Sequence, residues 1–314
     1  MGMFEDRQIM RQFSAGHSKF LSALAALLLA GMLAGAPAIT QAQSVGAYDK
    51  GLLWRVESAG AAPSFVFGTV HLEDKRVTTL PDPVRSTFDG ARSFVMELSP
   101  DPANVAALAS RMVYQDGRSL PAVAGESLFA KIVPLLANHG VPPEMARHFK
   151  PWAMVLILQM PPQDTANVLD FMLQRMAGEQ GKSLHYLETV DEQVAAFDQM
   201  SETEQLALLN HSVETYAEIP GQREKLLQAY LERDLARMWI IGEEELAQRP
   251  DLKPLKSVFD QRLLFDRNTR MVERMQPQLK SGNAFIAVGA LHLYGERGVL
   301  SLLAREGFRI TRVY

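Results

Sequence analysis

The chain of 314 residues contains no cysteine. Disulfides, thiolate nucleophiles and cysteine-ligated zinc are therefore excluded, and a bound metal would need histidine, carboxylate or neutral oxygen ligands. Basic charge is not in excess either, because the formal net charge is -4, and this argues against a nucleic-acid partner. The His-Glu-x-x-His, Gly-x-Ser-x-Gly and phosphate-binding glycine signatures are absent. We therefore expect no organic cofactor, no zincin and no serine hydrolase.

The first 42 residues predict an export signal. Arg7, Arg11 and Lys19 precede an apolar run over 21–36, and small residues up to Ala42 follow. The run is shorter than the ~20 residues of a membrane-spanning helix. We therefore predict a cleaved signal peptide over 1–42 and an exported, periplasmic mature chain. The alternative is an uncleaved N-terminal segment, which would be the only membrane contact.

The remainder of the chain alternates between strand-like and helical patterns. Strand-like segments occur at 52–56, 64–67, 93–98, 183–188, 284–288 and 308–314. A Gly/Ala/Pro turn joins the first two, which predicts a β-hairpin. Helical periodicity covers 104–160, 165–179, 222–247, 255–280 and 299–305. Because strands at both ends and in the middle alternate with helices and no low-complexity linker intervenes, we predict one α/β domain over 43–314.

Two short segments repeat the same pattern. Gly68 is followed three residues later by His71, and Gly289 is followed in the same way by His292. Each motif comes after an apolar strand, and α/β sheets hold their ligands beyond the carboxyl ends of the strands. Glycine permits a sharp turn or a close approach. The functional interpretation places both histidines in one site, and the alternative makes each a buried, hydrogen-bonded residue at a turn.

Three charged residues stand in apolar surroundings. Glu97 ends the third strand-like segment and Glu188 ends the fourth, while Arg267 lies with Asn268 on a largely apolar helix face. A buried carboxylate is costly unless it is paired or bound to a cation, so these residues are site candidates. The alternatives are strand-end carboxylates that face water, a helix cap beginning at Thr189, and a solvated helix surface.

Several separated segments, in the same order, resemble the TraB/PrgY/GumN/Tiki family. The resemblance covers about 50–314 and is carried by the segments 68–71, 95–98, 181–189, 192–193, 267–268, 288–293, 295–300 and 307–314. It implies a fold like that of the erythromycin esterases, with a mixed central sheet flanked by helices. Animal Tiki proteins are described as metal-dependent peptidases, whereas other members of the family have regulatory roles.

The resemblance also implies roles for individual residues. His71, His292 and Glu97 would be the ligands of a divalent ion, which we expect to be manganese, cobalt or zinc. Glu97, Glu188, Arg267 and Asn268 would be the catalytic and supporting polar residues. The second glutamate would be the general base, and the arginine would bind a substrate carboxylate or the oxyanion.

Three functions follow from these expectations. The leading hypothesis is an exported, metal-dependent hydrolase that acts on a peptide or another small substrate. The second is a metal-free esterase or amidase in which one histidine activates water. The third is a non-catalytic periplasmic protein that binds peptides or has a regulatory role. The sequence does not specify an oligomeric state.

Overall fold

The computed structural model describes residues 46–161, 167–247 and 253–314. The predicted export signal over 1–42 lies outside these ranges. In the part of the chain that the structure describes, no helix has the length and apolar character needed to cross a membrane. The prediction of a single domain over 43–314 stays a prediction.

The centre of the fold is a mixed sheet of six strands. The strands are β1 (Leu53–Glu57), β2 (Ser64–Thr69), β3 (Ser93–Met96), β4 (Ser183–Tyr186), β5 (Ala284–Gly289) and β6 (Arg309–Arg312). Their spatial order is β4-β3-β5-β2-β1-β6. The hairpin β1–β2 is antiparallel, as predicted, and β6 pairs antiparallel with β1. The four strands β4, β3, β5 and β2 run parallel, so their carboxyl ends lie along one edge of the sheet.

Helices flank this sheet and fill the intervals between the strands. They are α1 (Lys75–Thr78), α2 (Asp82–Gly90), α3 (Pro102–Met112), α4 (Leu120–Ala124), α5 (Glu126–Leu136), α6 (Pro143–Ala146), α7 (Pro151–Gln159), α8 (Leu169–Glu179), α9 (Val190–Asp198), α10 (Glu202–Glu214), α11 (Ile219–Leu231), α12 (Leu235–Ala247), α13 (Lys253–Phe259), α14 (Asp266–Ser281) and α15 (Val299–Arg305). A π-helical segment, Asp260–Phe265, joins α13 to α14. The predicted mixed α/β architecture is therefore confirmed.

Local sequence signals fix several helix ends. Thr189 and Glu192 form a capping box at the start of α9, and Ser201 and Glu204 form one at the start of α10. In each box the hydroxyl accepts from one backbone amide and the carboxylate accepts from the other, so two exposed donors are satisfied. Gly140 adopts the left-handed conformation, with φ of 63°, after the 3-10 turn that follows α5.

One predicted helix was wrong. The segment 222–247 contains two helices, because the chain breaks between α11 and α12 at Arg233, which has φ of 59°. Asp234 then accepts a hydrogen bond from the amide of Arg237 and caps the second helix. The predicted region 104–160 likewise divides into α3 to α7, because prolines lie in the first turn of α3, α4, α6 and α7 and Gly125, with φ of 85°, separates α4 from α5.

Two clusters of buried apolar residues support these elements. One packs on the sheet, where the ring of Phe285 lies 5.3 Å from that of Phe88. The other joins the helices α3 to α7 with α9 and α10, and in it Trp152 stacks on Phe197 at 5.4 Å. The apolar residues of the segment 152–160 belong to this second cluster. Burial of one large aromatic side chain stabilises the fold by about 1.5–3 kcal/mol.

Candidate active site

Four neighbouring parallel strands each deliver one predicted site residue beyond their carboxyl ends. Glu188 follows β4, Glu97 follows β3, His292 follows β5 in a 3-10 turn, and His71 follows β2. The strand register aligns these ends, because the last residues of β2 and β5 are paired, and so are those of β3 and β4. Segments far apart in the chain thus meet at one edge of the sheet.

Both histidine rings are held through Nδ1. The Nδ1 atom of His71 lies 2.7 Å from Oδ2 of Asp170, and the Nδ1 atom of His292 lies 2.6 Å from Oδ1 of Asn268. Asn268 is itself fixed, because its Nδ2 donates to the carbonyl of Arg297 at 2.9 Å. The two Nε2 atoms are left for other ligands.

The Nε2 atoms of the two histidines differ in their surroundings. The Nε2 atom of His71 is buried and has no hydrogen-bond partner among the residues that the structure describes. The Nε2 atom of His292 lies 3.8 Å from Oε1 of Glu97, which is too long for a hydrogen bond. A buried nitrogen without a partner is costly, so this arrangement favours a ligand between these groups.

A buried ion-pair network lies beside the histidines. Arg267, on α14, donates to Oε2 of Glu97 at 2.6 Å and to both oxygens of Glu188 at 2.9 and 3.1 Å. Arg270 adds a bond to Glu188 at 3.2 Å, and the amide of Gly289 donates to Oε1 of Glu97 at 2.7 Å. Arg267 and Glu97 are each only 2% exposed. The predicted Arg267 and Asn268 therefore both contact site residues.

Burial and charge shift the pKa values of the two histidines in opposite directions. Burial acts to lower the pKa of His71, but the charge and hydrogen bond of Asp170 outweigh it and raise the pKa. For His292, burial together with the positive charges of Arg267 and His71 holds the pKa well below its ordinary value. His292 is therefore neutral at physiological pH, which is the form that binds metals.

The two glutamates are shifted in opposite directions. Burial raises the pKa of Glu97 to about 7, although Arg267 acts against this shift. Burial acts in the same sense on Glu188, but the charge and hydrogen bonds of Arg267 prevail and lower its pKa. Two carboxyl groups with opposed shifts in one buried site are typical of functional sites.

Comparison with known proteins identifies the family of the chain. The model of the TraB/PrgY/gumN family matches residues 52–312. The chain belongs to this family. It is similar to the metalloprotease TIKI2 of Xenopus tropicalis, with 24% identity over 311 residues that cover 82% of this chain and 59% of the relative. TIKI2 of Danio rerio is 24% identical, over 82% of this chain and 60% of the relative.

Human metalloprotease TIKI1 is also similar, with 23% identity over 82% of this chain and 61% of that protein. The chain thus spans about three fifths of the length of these curated relatives. No solved structure matches the chain. The prediction of an erythromycin-esterase-like fold therefore stays a prediction.

Neither Gly68 nor Gly289 of this TraB/PrgY/gumN member forms a left-handed turn. Gly68 lies within β2, and Gly289 has φ of -53°, so neither occupies the conformation that favours glycine. A Cβ atom on Gly68 would lie 2.9 Å from Cδ1 of Leu293 and 3.0 Å from Cα of Ala290. Gly68 is therefore required for the close approach of the turn that carries His292.

We expect Gly68→Ala to destabilise the protein by about 1–3 kcal/mol, because the added methyl group overpacks against the backbone of Ala290. Urea unfolding measures the change. Gly90→Ala is the matched control, since no atom lies within 4 Å of a Cβ there, and its effect should remain within about 1 kcal/mol. Equal midpoints for Gly68→Ala and the parent would contradict the close approach.

The donor types suit a divalent ion, but a complete ligand set is not assembled. Two ligands about 2.1 Å from one ion can lie up to about 4.2 Å apart, and the 3.8 Å between His292 and Glu97 is within this limit. Within residues 46–161, 167–247 and 253–314, however, no group of three or more His, Asp or Glu side chains is arranged to hold a metal. The two imidazoles are the ligands that fit.

Sequence reasoning missed Asp170. It lies in the first turn of α8, is 4% exposed, and contacts both Thr69 and His71. The signal was available, because Asp170 is a single charge within the apolar run 168–173. The same argument that singled out Glu97 applies to it. Its partners, however, lie about a hundred residues earlier in the chain, so the sequence did not indicate them.

Proposed function

We propose that this protein is a metal-dependent hydrolase that cleaves peptide bonds. One observation carries the proposal: the Nδ1 atoms of two buried imidazoles lie against Asp170 and Asn268, and the buried Nε2 atom of His71 has no hydrogen-bond partner among the described residues. Histidines that bind metals in proteins are held in this way through the second ring nitrogen. The names of the relatives, which are metalloproteases, support the same reaction class.

His71 and His292 would hold the ion through their Nε2 atoms. Manganese, cobalt and zinc remain the candidates, because imidazole and carboxylate groups suit ions of this class. A bound ion of this kind supplies a water of lowered pKa and polarises the scissile carbonyl. Asn268 keeps the ring of His292 in place, and the burial of the side chains at the sheet edge excludes bulk water.

Proton transfer is assigned to Glu97 in this proposal. Its Oε1 atom accepts from the amide of Gly289 and faces His292. Glu188 gives both of its oxygens to Arg267 and one of them also to Arg270, so it is not oriented toward a reacting group. The general-base role expected for Glu188 therefore passes to Glu97. In this proposal Arg267 holds the two glutamates in place, instead of binding a substrate carboxylate.

Bound metal tests the proposal directly. The purified protein is loaded with manganese, cobalt or zinc and analysed by elemental mass spectrometry, beside the double variant His71→Ala/His292→Ala. We expect close to one ion per chain in the parent and none in the variant. His148→Ala is the matched control, because His148 is exposed and outside the site. Folded parent protein that retains no metal would refute the proposal.

A specific observation supports a second candidate function, a metal-free esterase or amidase. The contact between Asp170 and His71 has the form of an acid–histidine pair, which can activate water without a metal. Exhaustive chelation separates the two functions. Hydrolysis that persists after complete removal of metal would support the metal-free enzyme. Peptide affinity without any turnover would instead indicate a binding protein.

Export to the periplasm is part of the proposal. It is supported by the basic residues and apolar run within 1–42. The substrate would then be a peptide outside the cytoplasm.

A further inference from the structure

Asp170 is a buried carboxylate outside the set of glutamates and arginines described above. It is 4% exposed and belongs to α8, which is not part of the sheet. A carboxylate in such a position is retained only where partners use its oxygens. Oδ1 accepts a hydrogen bond from Oγ1 of Thr69 at 2.6 Å, and Oδ2 lies in ion-pair contact with Nδ1 of His71 at 2.7 Å.

Thr69 connects this carboxylate to the rigid part of the fold. It is the last residue of β2, it is paired with Gly289 of β5, and it is 2% exposed. The amide of Leu169, beside Asp170, also donates to the carbonyl of Leu72, beside His71, at 3.3 Å. The start of α8 is therefore attached both to the strand and to the segment that carries the histidine. Asp170 has little freedom to rotate away.

Different groups hold the two histidines, but both groups require a proton on Nδ1. Because Nδ2 of Asn268 donates to the carbonyl of Arg297, Oδ1 of Asn268 faces His292 and can only accept a hydrogen bond from Nδ1–H. An ionised carboxylate is also an acceptor only, so Asp170 requires a protonated Nδ1 on His71. When each ring is neutral, the Nε2 atom is then the unprotonated nitrogen, which is the one able to bind an ion.

We propose that Asp170, oriented by Thr69, is the positioning residue of His71: it fixes the Nδ1-protonated tautomer and leaves the Nε2 lone pair for the ion. The reason for positioning His71 rests on the proposed metal-dependent function, whereas the contacts of Asp170 with Thr69 and His71 do not depend on it. Groups that orient a histidine ligand in this way contribute about 10–100-fold to metal affinity.

The test uses Asp170→Asn. The asparagine side chain has almost the same shape as aspartate, but its amide can present either an acceptor or a donor to Nδ1. Nitrogen-15 NMR of the metal-free protein, recorded as a pH series up to the pH at which His71 is neutral, reports which ring nitrogen of His71 carries the proton. We expect protonation at Nδ1 in the parent and a mixture of tautomers in Asp170→Asn. Zinc affinity, measured by competition with a chelator, should fall about 10–100-fold.

Two further variants complete the design. Thr69→Val removes only the hydroxyl group that orients Asp170, and we expect a smaller loss of zinc affinity in the same direction. Asp191→Asn is the matched control, because Asp191 is an exposed carboxylate outside the site, and it should leave both measurements unchanged. Circular dichroism of each variant confirms that the protein is folded.

The two readouts separate the two proposals. An unchanged His71 tautomer in folded Asp170→Asn would overturn the positioning role, whatever the zinc affinity. A shifted tautomer in Asp170→Asn, together with a parent that binds no metal, would retain the positioning role and refute the metal-dependent function. A shifted tautomer and weaker zinc binding would support both.

Discussion

Replacement of Arg267 by methionine should reduce the free energy of unfolding by about 3–5 kcal/mol, because removal of one partner leaves uncompensated buried charge. Arg267 is 2% exposed and holds two carboxylates, Glu97 and Glu188, at the centre of the site. Without the guanidinium, the two carboxylates repel one another in a region from which water is excluded. Urea unfolding at pH 7.5, with circular dichroism as the signal, measures the loss.

Two comparisons make this prediction specific. Arg274→Met removes an arginine of the same helix whose side chain is 40% exposed and pairs with Glu192, and it should cost no more than about 1 kcal/mol. Arg267→Met combined with Glu188→Gln removes charge from both sides and should recover part of the loss. A change below about 1 kcal/mol for Arg267→Met alone would show that the network does not stabilise the fold.

Glu97→Gln should lower kcat for peptide hydrolysis by about 10²–10⁴-fold, which is the range of general acid–base catalysis. The amide retains an oxygen that can accept from Gly289, and Arg267 keeps Glu188 as a partner, so the fold should survive. The two histidines are unchanged, so the bound metal should also remain. Steady-state kinetics beside elemental analysis of the same samples give both quantities.

The control for this prediction is Glu192→Gln. Glu192 contacts Arg274 near the surface and should be replaceable without loss of hydrolysis. If Glu97→Gln loses its metal together with its activity, Glu97 is a ligand, as the family resemblance implied. If Glu97→Gln is fully active, Glu97 has no part in the reaction.

Much of the site could be predicted from single features of the sequence. The repeated spacing indicated His71 and His292, and the rule that ligands gather at the carboxyl ends of strands placed them together. Isolated charges in apolar segments indicated Glu97, Glu188 and Arg267, which do meet in the structure. The proximity of these side chains could be predicted because it depends on local sequence and on a general property of parallel sheets.

Contacts between distant elements could not be predicted in the same way. The position of Asp170 against His71 depends on how α8 docks on the end of β2, and no local pattern encodes that docking. The break at Arg233 was missed for a related reason, since a left-handed arginine is uncommon and is accepted only in its tertiary surroundings. The pairing of Arg267 with two glutamates, which alters the role expected for Glu188, also emerges only from the fold.

The strand order determines when the residues of the site come together during folding. The strand β5, from the last tenth of the chain, lies between β3 and β2. Until it is inserted, the hairpin that leads to His71 and the pair of strands that leads to Glu97 and Glu188 are not joined. The bond from Gly289 to Glu97 closes a separation of 192 residues, and such long-range pairing forms late in folding. A chain that ends before β5 should therefore lack the assembled site.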